Sequence, residues 1–293
     1  MHILSLSEIF PPTHGGSGRW LWEVAVRLDP SEITIITHLQ PSAKTFDYTH
    51  NLDVRRIPLK SSEWGIRSLQ GLRYYWQTMR FVRRTIKESR ANKDTMMHCA
   101  RCIPEGFVGY LMHRLYQTPY LCFVHGEDIE TAKNSRELSW IATRSLKSAQ
   151  ILICNSQNTA TLLKRDWSVP EHKIHVVHPG VDTDYFTPAA YCPQTRERLG
   201  WDNRPVLLTV GRLQKRKGHD NVIKALPLIL RKHPDLLYCI VGQGEELSHL
   251  QKLVTQQKVT ESVQFITTAC DEDLLAAYQQ CNLFILANRT VNN

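Results

Sequence analysis

The chain has 293 residues, long enough for two domains of ordinary size. Its 42% hydrophobic and 22% charged content is that of a soluble globular protein, and no apolar run is long enough to span a bilayer. Thirty-six basic against 28 acidic residues leave a net charge of +8, which suits an anionic ligand, nucleic acid or an acidic membrane surface without choosing among them.

Residues 2–7 read as an apolar first strand. The opening lacks the charged head and cleavage site of a signal peptide, so a cytoplasmic protein is expected. There the Asn288-Arg289-Thr290 sequon would stay unmodified. Pro11-Pro12 stops the strand, and Gly15-Gly16-Ser17-Gly18 opens a helix through Leu28, with Trp20, Leu21, Val24 and Leu28 on one face. Strand, glycine turn and helix let a phosphate approach backbone N–H groups; a tight turn needing glycine for its own backbone reads equally well. The turn is not the dinucleotide fingerprint, because Leu21 stands where the third glycine belongs.

A second strand covers 32–38, and 40–65 read as irregular with one short strand near 54–57. Residues 66–90 form a long basic helix with Leu69, Leu72, Trp76, Met79, Val82 and Ile86 as one stripe. Arg73, Arg80, Arg83, Arg84, Lys87 and Arg90 spread over the rest. Such a helix either packs its stripe into the core or lies peripherally on an anionic membrane. Strands at 95–99, 119–124, 150–154 and 173–177 then alternate with helices near 105–116, 135–148 and 156–167, which predicts a parallel, doubly wound sheet. Two polar loops follow strands: His125-Gly126-Glu127-Asp128 and His178-Pro179-Gly180-Val181-Asp182. A histidine ending a parallel strand has a raised chance of facing ligand.

Of the eight cysteines, Cys122, Cys154 and Cys239 lie in apolar strands as small hydrophobes. Cys99-Ala-Arg-Cys102 has no second pair at zinc spacing, so no metal site is expected. Proline-punctuated residues 187–204 read as a linker, dividing a first domain, 1–186, from a second, 205–293. The second repeats the order: strand 206–211, helix 219–232 with Pro227 inside it, strand 236–242, helix 244–257, strand 263–266, helix 271–281 and strand 283–287.

The most informative stretch is Val206-Leu-Leu-Thr-Val-Gly211-Arg212-Leu-Gln-Lys215-Arg216-Lys217-Gly218, followed by a helix with Asp220 as its expected N-cap. Four cations sit between a strand's carboxyl end and a helix N-terminus, where backbone N–H groups and the dipole favour an anion. The inference is a phosphate or diphosphate site; the plainer alternative is a solvated basic loop. Gly242-Gln243-Gly244 is a second strand-to-glycine turn, again without a third glycine. An NAD-type oxidoreductase, which needs that third glycine, is therefore disfavoured. Nucleic-acid binding has only net charge in its favour, without a motif or a stacking platform.

Two Rossmann-like halves with glycine and basic loops facing one another describe a nucleotide-sugar cleft. The chain here resembles the retaining glycosyltransferases of family 4, which have the GT-B fold. The resemblance runs over essentially the whole chain and rests on Gly15-Gly-Ser-Gly-Arg-Trp, His125-Gly-Glu-Asp, Asn155-Ser156, His178-Pro-Gly-Val-Asp182, Gly211-Arg-Leu…Arg216-Lys-Gly218 and Val241-Gly-Gln-Gly244. It implies an acceptor-side first domain and a nucleotide-sugar-binding second domain. Arg212 and Lys217 would grip the donor diphosphate, and Gly16 would bring backbone N–H groups to the same phosphates. His125 would sit beside the donor sugar. Gly15, Gly180, Asp182, Gly242 and Gly244 would support the donor loops. The resemblance implies a UDP- or GDP-linked sugar as donor, a lipid-linked or polysaccharide acceptor, and no metal or other cofactor.

One departure stands out. In the family an E-x7-E segment follows the strand corresponding to 283–287, whereas this chain reads Asn288-Arg-Thr-Val-Asn-Asn293. Thr267 also stands where glycine is common. The expectation is an incomplete second domain with 283–287 as an exposed apolar edge. A catalytically inactive nucleotide-diphosphate binder is then the competing reading.

Overall fold

A computed structural model describes residues 1–13, 15–41, 43–61, 63–89 and 94–289. Arg90 of the basic helix and Thr290 of the sequon lie outside them, as does 291–293. The chain divides into two compact units, Met1–Gly180 and a second beginning at Val181.

The first unit runs β1 (His2–Ser7), α1 (Gly16–Ala25), β2 (Ile33–His38), α2 (Ala43–Thr49), β3 (Asp53–Ile57), α3 (Leu69–Ser89) and β4 (Thr95–Cys99). It continues with α4 (Glu105–Tyr116), β5 (Tyr120–Val124), α5 (Glu127–Lys133), α6 (Arg136–Ser148), β6 (Ile151–Cys154), α7 (Gln157–Trp167) and β7 (Ile174–Val176). The sheet order is β3-β2-β1-β4-β5-β6-β7, with every pairing parallel. The chain moves outward from β1, then returns to β4 on β1's other side, so the switch point lies between these two strands. Helices cover both faces, which is why β5 is buried at every residue instead of alternating. α3, α4, α6 and α7 pack on one face through Val82, Phe107, Ile141 and Leu163. α1 covers the other through Leu21 and Ala25.

The second unit contains α8 (Pro193–Arg198), β8 (Val206–Val210), α9 (His219–Leu230), β9 (Leu237–Val241), α10 (Leu247–Gln256), β10 (Val263–Ile266), α11 (Asp271–Gln280) and β11 (Leu283–Phe284). Its parallel sheet has the order β10-β9-β8-β11, so the switch point falls between β8 and β11. Alternation along the strands sorts the core: Leu207, Tyr238 and Ile240 meet α9 and α10, while Leu208, Cys239 and Val241 meet α11 and Trp201. The doubly wound α/β class expected of both halves is thus present.

Several elements differ from expectation. Residues 40–65 contain α2, and the turn after His125 is the start of α5. The stretch read as a linker holds α8, whose Arg196 is 2% exposed and donates to the carbonyls of Asp202, Gln280 and Arg204. Buried charge bound to backbone carbonyls makes 192–204 part of the second unit's fold. α9 continues through Pro227.

The apolar stripe of α3 divides in two. Val82 and Ile86 enter the core with Tyr74 and Tyr75, while Leu69, Leu72 and Trp76 are 86%, 50% and 60% exposed. The face read as continuous drifts because 69, 72 and 76 lie around the helix from 75, 82 and 86. Among the described residues no helix is long and apolar enough to cross a membrane. Among the described residues β11 pairs only with β8 and leaves Leu283 and Phe284 exposed, while Ile285 and Ala287 pack against the core.

Candidate functional site

In the second unit β8 ends at Val210, and Gly211 to Gly218 carry the chain to α9 beside the switch point. The loop is held by the neighbouring glycine turn. Gly211 N–H donates to the Val241 carbonyl and Leu213 N–H to the Gln243 carbonyl, both at 2.9 Å. Glu246 N–H donates to the Leu213 carbonyl at 3.1 Å. A Cβ on Gly242 would stand 2.1 Å from the Gly211 carbonyl oxygen, and one on Gly244 would stand 2.3 Å from that of Leu213. Gly242 also has φ +148, which L side chains rarely adopt. These two glycines therefore let one backbone lie on another. At Gly211 a Cβ would meet no atom within 4 Å, so that glycine's open side faces space.

Lys215–Lys217 form a single 3₁₀ turn, leaving Arg212 and Arg216 exposed and Lys217 half-buried. Gly218, in the left-handed conformation at φ 70, caps α9. Asp220 was expected in that role. Its carboxylate instead takes the guanidinium of Arg289 at 2.9 Å and the Lys224 amine at 3.2 Å. Burial pushes the Asp220 carboxyl up, but these two cations outweigh it and hold the pKa below the usual value. The first-turn carboxylate is thus matched by cations rather than opposing an anion at the loop. His219 is buried, with neither ring nitrogen hydrogen-bonded among the described residues, and its pKa is lowered by burial and by the neighbouring Lys217.

In the first unit Gly15 precedes α1 in extended conformation without a side-chain cap, and the helix has no acid in its first turn. Among the described residues a Cβ at Gly16 would meet nothing within 4 Å, whereas one at Gly18 would stand 2.6 Å from the Ile9 carbonyl oxygen. Packing therefore requires Gly18 and leaves Gly16 open.

His125 follows β5 and is half-buried. Its Nε2 donates to the Ala100 carbonyl at 2.9 Å, and its ring meets Trp20 edge-on with centroids 5.9 Å apart. Asp128, in the first turn of α5, accepts from the backbone N–H groups of His125 at 3.1 Å and Cys102 at 3.0 Å. Asn155 Nδ2 donates to the His125 carbonyl at 3.3 Å and is itself held by Thr159 at 2.8 Å. The matching motif residues Asp128 and Asn155 thus fix the loop that carries the histidine.

Gly180 is exposed at the end of the first unit. Asp182 accepts from the N–H groups of Asp184 at 3.1 Å and Tyr185 at 2.9 Å, an Asx turn that shapes its own loop. A cluster not anticipated from sequence, Glu8, Arg101 and Glu105, lies at the first unit's switch point. Its members are up to 97 positions apart, so no local spacing announces it. Among the described residues no group of three or more His, Cys, Asp or Glu is placed to hold a metal ion.

The family described as Glycosyltransferase Family 4 matches residues 14–185, and that described as glycosyl transferases group 1 matches 193–290. The first match alone covers more than half of the chain, which belongs to glycosyltransferase family 4.

A GDP-mannose-dependent alpha-(1-6)-phosphatidylinositol monomannoside mannosyltransferase of Mycolicibacterium smegmatis is 32% identical over 170 residues, 55% of this chain and 44% of that protein. A related monoacylated-substrate mannosyltransferase of Corynebacterium glutamicum is 26% identical over 98% of this chain and 72% of its own length. The chain thus spans under half the length of the first of these relatives. The structure of Anabaena Alr3699/HepE in complex with UDP-glucose superposes with a TM-score of 0.76 at 20% identity, over 98% of this chain and 74% of that one. That likeness is one of fold, the two-domain Rossmann-like GT-B fold.

Proposed function

We propose that the chain is a retaining glycosyltransferase that moves a sugar from a nucleotide-diphosphate donor to a lipid-linked or polysaccharide acceptor. One observation carries this: the basic loop 211–218 stands at a switch point, locked from behind by Gly242 and Gly244 and open at Gly211. Arg212 and Lys217 neutralise the diphosphate and stabilise the departing nucleotide, the electrostatic contribution that usually dominates such chemistry. The open face of Gly16 lets backbone N–H groups of α1 meet a phosphate. His125 orients the donor sugar and stabilises its oxocarbenium-like centre. The departing phosphate takes the acceptor's proton, so no glycosidase-like carboxylate pair is required. Cationic side chains supply the charge that a metal would otherwise bring.

The GDP-mannose-dependent relatives and the UDP-glucose complex support a nucleoside-diphosphate donor, and the phosphatidylinositol substrates in the relatives' names support a lipid-linked acceptor. The exposed Leu69, Leu72 and Trp76 beside Arg73, Arg80, Arg83, Arg84 and Lys87 support peripheral contact of 66–90 with an anionic membrane. We take the location as cytoplasmic, at the inner membrane face; all eight cysteines are free thiols.

Calorimetric titration with UDP and GDP tests the diphosphate site. One of the two should bind the wild type, and Arg212→Ala with Lys217→Ala should weaken it about 100-fold or more, since hydrogen bonds to charged groups are worth about 1.5–3 kcal/mol each. Folded wild type that binds neither nucleotide would overturn the assignment.

A further inference from the structure

Three neighbouring strands of the first sheet, β1, β4 and β5, each deliver one polar side chain just past the carboxyl end: Glu8, Arg101 and His125. Arg101 ties the first two loops together. Its Nη2 donates to Glu8 Oε2 at 2.7 Å and Glu105 Oε1 at 2.9 Å, and its Nε donates to Glu105 Oε2 at 3.2 Å. Glu105 has no exposed surface and also accepts the Glu8 N–H at 2.9 Å. A buried carboxylate needs such a partner, so the guanidinium is not replaceable by an apolar side chain alone.

The backbone around Arg101 is pinned as well. Ala100 N–H donates to the Leu6 carbonyl at 3.0 Å, and Gly106 N–H donates to the Arg101 carbonyl at 2.9 Å. The Ala100 carbonyl, one peptide before Arg101, receives the hydrogen bond from His125 Nε2 at 2.9 Å. A carbonyl has no proton to give, so Nε2 carries the hydrogen. In the neutral ring Nδ1 then holds a lone pair, and no described residue bonds to it.

We propose that Arg101 is a positioning residue. Through the Ala100 carbonyl it holds His125 as the Nε2–H tautomer, so that Nδ1 accepts a hydrogen bond from a hydroxyl of the donor sugar. The inference rests on the donor-sugar role of His125 and adds a direction to it. The sugar must donate at that position, and a deoxy or methylated analogue there leaves Nδ1 unmatched.

Long-range proton–nitrogen NMR of histidine-labelled protein reads the tautomer without turnover. Wild type should show His125 as Nε2–H. Arg101→Met combined with Glu105→Gln removes the charge together with its buried partner; the two tautomers should then mix, while affinity for UDP or GDP stays within about twofold. Arg101→Lys should restore part of the Nε2–H population. Adding GDP-mannose or UDP-glucose to wild type should shift the Nδ1 resonance more than GDP or UDP alone.

A wild-type Nδ1–H tautomer would overturn the proposal, as would a pure Nε2–H tautomer in the double variant. So would nucleotide sugars that bind without moving Nδ1. If no nucleotide binds, the transferase assignment fails by itself, and the tautomers still decide whether Arg101 positions the ring.

Discussion

Gly16 and Gly18 look equivalent in the sequence and are not. Alanine at Gly18 drives a methyl into the Ile9 carbonyl at 2.6 Å, where backbone must yield, so a loss of about 1–3 kcal/mol is expected. Alanine at Gly16 meets nothing and should leave folding within about 0.5 kcal/mol while weakening UDP or GDP binding. Thermal melts beside calorimetry separate the two. Equal melting shifts for both variants would contradict the distinction.

His98 on β4 offers a pH test at the same scale. Burial lowers its pKa to about 4, from an ordinary value of 6.5. Between these values the unfolded chain takes a proton that the folded chain refuses. Stability is therefore retained above pH 6.5 and declines as pH falls towards 4, by up to about 3 kcal/mol. Denaturant melts of His98→Gln should lose that part of the slope; an unchanged slope would assign the acid sensitivity elsewhere.

At the scale of elements, strand–glycine–helix units were readable because all their determinants are local. Apolar runs, glycine turns and the cation cluster after β8 each occupy a few consecutive residues. Local sequence points to Asp220 as the cap, but its partner Arg289 lies 69 positions away and Gly218 takes that place. The two halves of α3 cannot be told apart in the sequence, because Leu69, Leu72 and Trp76 fit a helical period as well as the core face does. α2 and α8 were missed because short helices carry little periodicity.

The α3 surface makes its own prediction. Leu69→Ser, Leu72→Ser and Trp76→Ser together remove exposed apolar groups, so stability should change little. Co-sedimentation of the wild type with phosphatidylglycerol vesicles at low salt should fall several-fold in the triple variant. Wild type that ignores those vesicles would show that 66–90 has no membrane role.

Over the whole molecule, each sheet reverses once, at β1/β4 and at β8/β11, and the loops of Gly16, Arg101 and Arg212 follow strands that border these reversals. This organisation could not be read from adjacent residues, since strand order is a property of chain return. The alternation of strands and helices revealed the class, and the packing of distant loops determined which glycine is open and which lies against backbone.

The tail of the second unit adds a dynamic consequence. Arg289 N–H donates to the Arg216 carbonyl at 2.9 Å, its guanidinium grips Asp220 and Asn221, and the Ala287 carbonyl oxygen lies 1.9 Å from where a Gly218 Cβ would stand. Loop and tail consequently have little independent freedom. Amides from 216 to 221 should exchange with solvent only as fast as residues 285–289 detach, so the two stretches form one opening unit. The stiffness of the basic loop is set nearly seventy residues downstream of it.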